Sequence, residues 1–218
     1  AWWTAYIFLA DAVKRHNLAQ PLRPCRRPAA APSRYSEPMS YPKKLSREAI
    51  VAAALAHIET HGVDALSMRT LAADLGVAPN ALYRYFPSKT DLSFALADEA
   101  GRILLSALQA AANGLTLLDA VRATAQTYLH FARTRPALYA VKMSHCKSGG
   151  EEPPSHAQVW DFVLSFTADL HTPWDREDLA LSLWAALHGL VELDRADMLD
   201  GRDAQATLNV MLDVLLAG

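Results

Sequence analysis

Between Leu66 and Leu92 the chain sets a serine, a glycine and two prolines at positions that leave little freedom of fold. Ser67 is a natural helix N-cap, and Met68, Leu71, Ala72 and Leu75 follow at helical spacing on one face. Gly76 stops that helix, and Pro79 suits the first turn of the next. This second helix is short, because Pro87 closes it after Phe86. Ser88-Lys89-Thr90-Asp91 then has the form of a capping box for a longer helix. Two short helices joined through Gly76-Val77-Ala78, with small residues at the joint, are what a helix-turn-helix requires.

The rest of the chain is helical in pattern. A first helix is expected over 46–61, with Ile50, Ala54 and Ile58 on one face and Gly62 as its stop. Further helices are expected at about 89–111, 117–134, 136–145, 155–171, 175–199 and 203–217. No strand with period-2 alternation and no internal repeat stands out. The expected fold is all-α: an N-terminal three-helix helix-turn-helix domain followed by a helical ligand-binding and dimerisation domain. The expected limits are 1–40 for a poorly structured extension, 41–92 for the first domain and 93–218 for the second. The extension holds five of the twelve prolines, reads as a linker, and makes Met39 a candidate start.

Charge is unevenly spread, which matters more than its sum of −2. Residues 1–42 carry six basic and two acidic groups, residues 43–100 six and seven, and residues 101–218 nine and fourteen. A polyanion would therefore meet the first hundred residues and avoid the last half. The two cysteines, Cys25 and Cys146, are too far apart and too few for a disulfide scaffold or a zinc module. A reducing cytoplasm is the expected compartment. No apolar run reaches the roughly 18–20 residues that span a bilayer, so no membrane partner is expected.

Placing 79–86 on a helix at about 100° per residue sets Leu82, Phe86 and Pro79 on an inward stripe. Asn80, Arg84 and Ala81 point outward, and Tyr83 and Tyr85 lie on opposite flanks. A helix in the major groove presents its outer stripe to base edges and its flanks to the phosphate walls. Asn80 and Arg84 suit bases or backbone, and each tyrosine hydroxyl can donate to a phosphate oxygen. Lys89 adds its charge to a helix N-terminus. Ser67 and Arg69 offer contacts to the other strand, and Lys43 and Lys44 form a short basic arm. Taken singly, each of these has a plainer explanation as packing or a solvated charge; their register within one short segment carries the reading.

The segment Leu66-Ser67-Met68-Arg69-Thr70-Leu71-Ala72-Ala73-Asp74-Leu75-Gly76-Val77-Ala78-Pro79-Asn80-Ala81-Leu82-Tyr83-Arg84-Tyr85-Phe86-Pro87-Ser88-Lys89-Thr90-Asp91-Leu92 resembles the signature of the TetR/AcrR transcriptional regulators. Trp184-Ala185-Ala186-Leu187-His188-Gly189 is similar to a stretch in the regulatory domain of one subgroup. The resemblance implies a homodimer on a palindromic operator of double-stranded DNA, released when a small molecule binds the C-terminal domain. It places DNA contacts on Ser67, Arg69, Pro79, Asn80, Ala81, Tyr83, Tyr85 and Lys89. Ala78, Pro79, Asn80 and Ala81 replace the polar residues many members carry there, which shifts specificity toward shape and phosphate contacts.

In the second half, Tyr128, His130, Phe131, Tyr139, Met143, Trp160, Phe162, Trp184 and His188 combine apolar bodies with mostly polar tips. They are candidates for an apolar or aromatic effector, although each alone is more often core. The last two helices are rich enough in leucine to suggest pairing across a dimer axis, with packing inside one chain as the plainer alternative. His57 and His61 lack a third ligand, and His145-Cys146 is a weak sensor candidate, so neither a metal nor a cofactor is expected. No nucleophile elbow, phosphate loop or zinc-protease motif occurs, which argues against an enzyme. The rival readings are an architectural DNA-binding protein without an effector, and an all-α enzyme whose helix-turn-helix is vestigial.

Overall fold

The three-dimensional structure is a computed structural model that describes residues 45–145, 152–168 and 174–216. Helix α1, Arg47–His61, starts where the Ser46 hydroxyl accepts the Ala49 N–H at 3.1 Å. It ends at Gly62, whose φ of 85° lies in the left-handed region that favours glycine. Its buried face is Ile50, Val51, Ala54, Leu55 and Ile58. A single 3-10 turn leads to Ser67, which caps α2, Met68–Asp74, in a capping box closed by Thr70. At Gly76 the chain turns back: the Val77 N–H bonds the Ala72 carbonyl at 2.9 Å, the closing bond of a Schellman turn.

Helix α3, Pro79–Tyr83, is one regular turn, extended by bonds from the Tyr85 and Phe86 N–H groups to the Leu82 carbonyl. Leu82 and Phe86 are fully buried. Helix α4, Lys89–Ala112, follows from a capping box between Ser88 and Asp91. The remaining helices are α5 (Leu117–Thr134), α6 (Pro136–His145), α7 (Pro154–Ala168), α8 (Arg176–Arg195) and α9 (Ala204–Leu216). No strand occurs among the described residues, and the all-α expectation holds.

Helix α4 is the spine: α1, α5, α6 and α7 all pack on it. The boundary expected after residue 92 therefore falls inside this helix, and one apolar cluster runs from Ile50 in α1 to Leu212 in α9. Helix α7 meets α4 closely at Gly101, where any side chain would overlap Ser155. Beside that contact, Asp98 of α4 accepts the Ser155 N–H at 2.8 Å and so caps α7 from a neighbouring helix.

One helix end differs from expectation. Helix α8 stops at Arg195, not 199, although no glycine stands there. Asp197 takes the left-handed conformation, φ 55°, and the Met198 N–H bonds the Leu193 carbonyl at 2.9 Å. Aspartate tolerates this conformation better than most side chains, so it replaces the expected glycine stop. No helix among the described residues is long and apolar enough to cross a membrane.

Candidate nucleic-acid interface and effector cavity

The outer side of α2 and α3 is built by what the inner side buries. With Leu71, Leu82 and Phe86 fully inside, Asn80, Tyr83 and Arg84 are left exposed on one short helix. Tyr83 shows 45% of its surface, high for an aromatic side chain. Arg69 and Lys89 are exposed at the starts of α2 and α4, while Ala81 and Ser67 are half-buried. Ser67 Oγ accepts the Thr70 N–H at 3.0 Å. Lys43 and Lys44 lie outside the described residues.

Two sequence expectations need correction here. Pro79 is exposed and not part of the inward stripe. It is the first residue of α3 and follows extended Ala78, so a helical projection does not apply at that edge. Tyr85 is half-buried, and its hydroxyl donates to the Leu45 carbonyl at 2.7 Å. That donor ties α3 to the start of α1 and is not directed to a phosphate. Arg47 completes the tie: its guanidinium donates to the Tyr85 carbonyl at 2.9 Å and lies 4.2 Å from the centre of the Phe86 ring. Sequence periodicity gives no sign of Arg47, because its partners are about forty residues away.

Helices α1 and α2 are also clamped, by His57 Nδ1 and Asp74 at 2.6 Å. His61 turns its Nδ1 to the His57 carbonyl at 3.2 Å. The two histidines thus serve local contacts, and the described residues hold no group of three or more metal-ligand side chains. Cys146 and the His145 side chain lie outside what is described.

The helices of the body border a partly open cavity of about 80 Å³, with contributions from α4 to α9. Tyr128 and Trp184 line it, together with Thr124, Lys142, Val163 and Phe166. The other sequence candidates lie elsewhere. His130 is exposed on the outer face of α5. Phe131 and Met143 are buried away from the cavity wall, and Trp160 and Phe162 are half-buried beside it. Periodicity identified a buried face here but could not tell filled core from cavity wall.

Tyr139 and His188 form a network next to the cavity. The Tyr139 hydroxyl lies 2.7 Å from His188 Nδ1 and 3.0 Å from a Glu192 oxygen. Since the carboxylate only accepts, a consistent arrangement has His188 donating to Tyr139 and Tyr139 donating to Glu192. Burial, reinforced by Tyr128 and Glu192, pushes the Tyr139 hydroxyl far above its ordinary value, so it stays protonated. Trp184 stacks on His188 with ring centres 5.0 Å apart. This network reaches the cavity through Tyr128 and Trp184, which both line it.

Residues 50–96 match the bacterial regulatory proteins of the tetR family, and residues 121–215 match the tetracyclin repressor-like C-terminal domain. An HTH-type transcriptional regulator of Mycobacterium tuberculosis is 30% identical over 204 residues, covering 92% of this chain and 93% of its own. Among solved structures, BioQ with its natural double-stranded DNA operator aligns at TM-score 0.59 and 22% identity, over 80% of this chain and 100% of that one. A variant of TetR from Acinetobacter baumannii in complex with minocycline aligns at 0.58 and 21%, over 80% and 96%. Exposed helix-turn-helix, enclosed helical body and matches along both halves agree: the chain belongs to the TetR family and is a DNA-binding regulator of transcription, not an enzyme.

Proposed function

We propose that the protein is a cytoplasmic repressor that binds a palindromic operator as a homodimer and is released by a small apolar or aromatic effector. The observation that carries this reading is the position of α6. It contributes Lys142 to the cavity wall and packs on both α4 and α1. Arg135, at the start of α6, bonds Glu59 of α1 at 2.8 Å. A molecule that fills the cavity must push on a helix that touches the DNA-binding head.

The cavity is small beside the roughly 300–1,000 Å³ of ordinary ligand sites. Binding therefore requires the walls to move apart, and that movement is the signal. Two heads must meet grooves about 34–36 Å apart, or a multiple of this, so a modest change of spacing loses one of two linked contacts. The operator-bound BioQ and minocycline-bound TetR share the fold, which supports both halves of the scheme.

DNA would meet Asn80 and Arg84 at base edges, with Tyr83, Ser67, Arg69, Lys89, Ala81 and Pro79 facing sugar and phosphate. The dimer would form through α8 and α9. Leu181 and Leu193 on α8, and Val210 and Val214 on α9, are apolar yet 43–73% exposed. Gly189 lies between the two leucines, and a side chain there would meet nothing within 4 Å, leaving room for a partner helix. Leu193→Asp with Val214→Asp should yield monomers in sedimentation, and those monomers should lose operator affinity.

The test of function is binding to DNA upstream of the protein's own gene, followed by fluorescence anisotropy at several salt concentrations. Preference for one palindrome over random DNA supports the repressor reading. Equal, strongly salt-dependent binding to both would favour the architectural alternative.

A further inference from the structure

Thr124 of α5 stands in the cavity wall, 8% exposed, and its Oγ1 has no hydrogen-bond partner among the described residues. A threonine in a helix can donate to the carbonyl one turn back, as Thr134 of the same helix does to His130 at 2.8 Å. Thr124 makes no such bond. The other polar groups of the wall are committed. Thr167 donates to the Leu164 carbonyl at 2.9 Å, and the Tyr128 hydroxyl lies 3.4 Å from His188 Nδ1. Lys142 and Trp184 hold interactions of their own. The rest of the wall is apolar, with Val121, Val163, Phe166 and Leu187 among its residues.

We propose that the cavity takes a neutral carbonyl compound, a small ketone or ester, whose oxygen accepts from Thr124 and whose apolar body packs on Val121, Val163, Phe166 and Leu187. This rests on the reading of the cavity as the effector site and narrows it to a chemical class. A buried O–H without an acceptor costs the desolvation of that group, so the ligand that answers Thr124 must bring an acceptor. A ligand hydroxyl would bring a second proton in need of a partner, and the remaining polar groups of the wall are already engaged. A charged ligand would lose its hydration to an apolar wall with no uncommitted counter-charge. An apolar cavity of roughly 150 Å³ takes up benzene. The smaller space here, with its walls moved a little apart, suits a single ring or a short chain.

The probes are acetophenone, ethylbenzene, which has nearly the same shape without the acceptor, and benzoate, which adds a charge. Calorimetry measures binding to the full chain, and anisotropy measures release of DNA. Thr124→Val should weaken acetophenone about three- to tenfold and leave ethylbenzene as tight or tighter, whereas Thr124→Ser should retain acetophenone. Benzoate should bind at least about tenfold more weakly than acetophenone. In the unaltered protein the carbonyl stretch of bound, carbon-13-labelled acetophenone should fall below its value in hexane, a reading that stands even if Thr124→Val does not fold. No binding of acetophenone, equal loss of acetophenone and ethylbenzene in Thr124→Val, benzoate as tight as acetophenone, or an unshifted carbonyl stretch would each overturn the proposal. Acetophenone that binds through Thr124 without releasing DNA would overturn the repressor reading and leave this one standing. Acetophenone that releases DNA equally well from Thr124→Val would do the reverse.

Discussion

The residues proposed to meet DNA all fall between Ser67 and Lys89, whereas the cavity wall of the body draws on six helices between Leu108 and Leu212. The head gains its shape from local devices: two capping boxes, the Gly76 turn and a helix of five residues. The body gains its cavity from how long helices fail to fill the space between them. A surface needs only short-range rules to be aimed, while a cavity depends on every helix that borders it. The head accordingly tolerates little change in its few buried anchors, and the body tolerates change unless it touches the wall or the buried network.

Changes that break this contrast can be ordered by size. Leu82→Ala removes a fully buried side chain from a helix with little else to hold it. It should cost about 3 kcal/mol in urea unfolding and abolish operator binding. A loss below about 1 kcal/mol would show that α3 does not depend on its core contact. Gly76→Ala meets no steric neighbour but forces a side chain into φ 65°. About 1 kcal/mol of stability should be lost, with weaker DNA binding from a misdirected α3. Lys89→Ala should leave unfolding unchanged, weaken binding on all sequences alike and lower the salt slope by about 1. An unaltered slope would remove Lys89 from the phosphate contacts.

In the body, Thr124→Val replaces a buried hydroxyl that has no partner among the described residues with a methyl group. The unliganded protein should gain up to about 1 kcal/mol, against the destabilisation expected of most core substitutions. The smallest effect is one of pH. His156 is held below its ordinary value of 6.5 by burial and by Lys142. The unfolded chain then binds a proton more readily than the native one, so stability is lost as pH falls below about 6.5. His156→Gln should flatten the melting profile in that window; an unchanged slope would mean that other groups set it.

Much of the head was legible because its signals are local. Ser46, Ser67 and Ser88 cap the helices that follow them, and Gly62 and Gly76 end the helices before them. Tyr85 was misjudged because its partner, the Leu45 carbonyl, lies 40 residues away. The early end of α8 was missed because Asp197, not a glycine, adopts the left-handed turn. In the body, Tyr128 and Trp184 reached the cavity wall while His130 did not, although all three suit a pocket by type. Thr124 and Lys142 left only a faint trace, as polar residues interrupting apolar stripes.

By itself the sequence determined the helices, their caps and stops, and the helix-turn-helix, because each follows from hydrogen bonds and side-chain spacing within a few residues. Tertiary structure alone decided which buried side chains fill the core and which line a void. It also decided that α6 touches both cavity and head, and that Arg47, Tyr85 and Leu45 lock α3 in place. Those outcomes depend on where distant helices come to rest, and close packing of the whole interior sets that position.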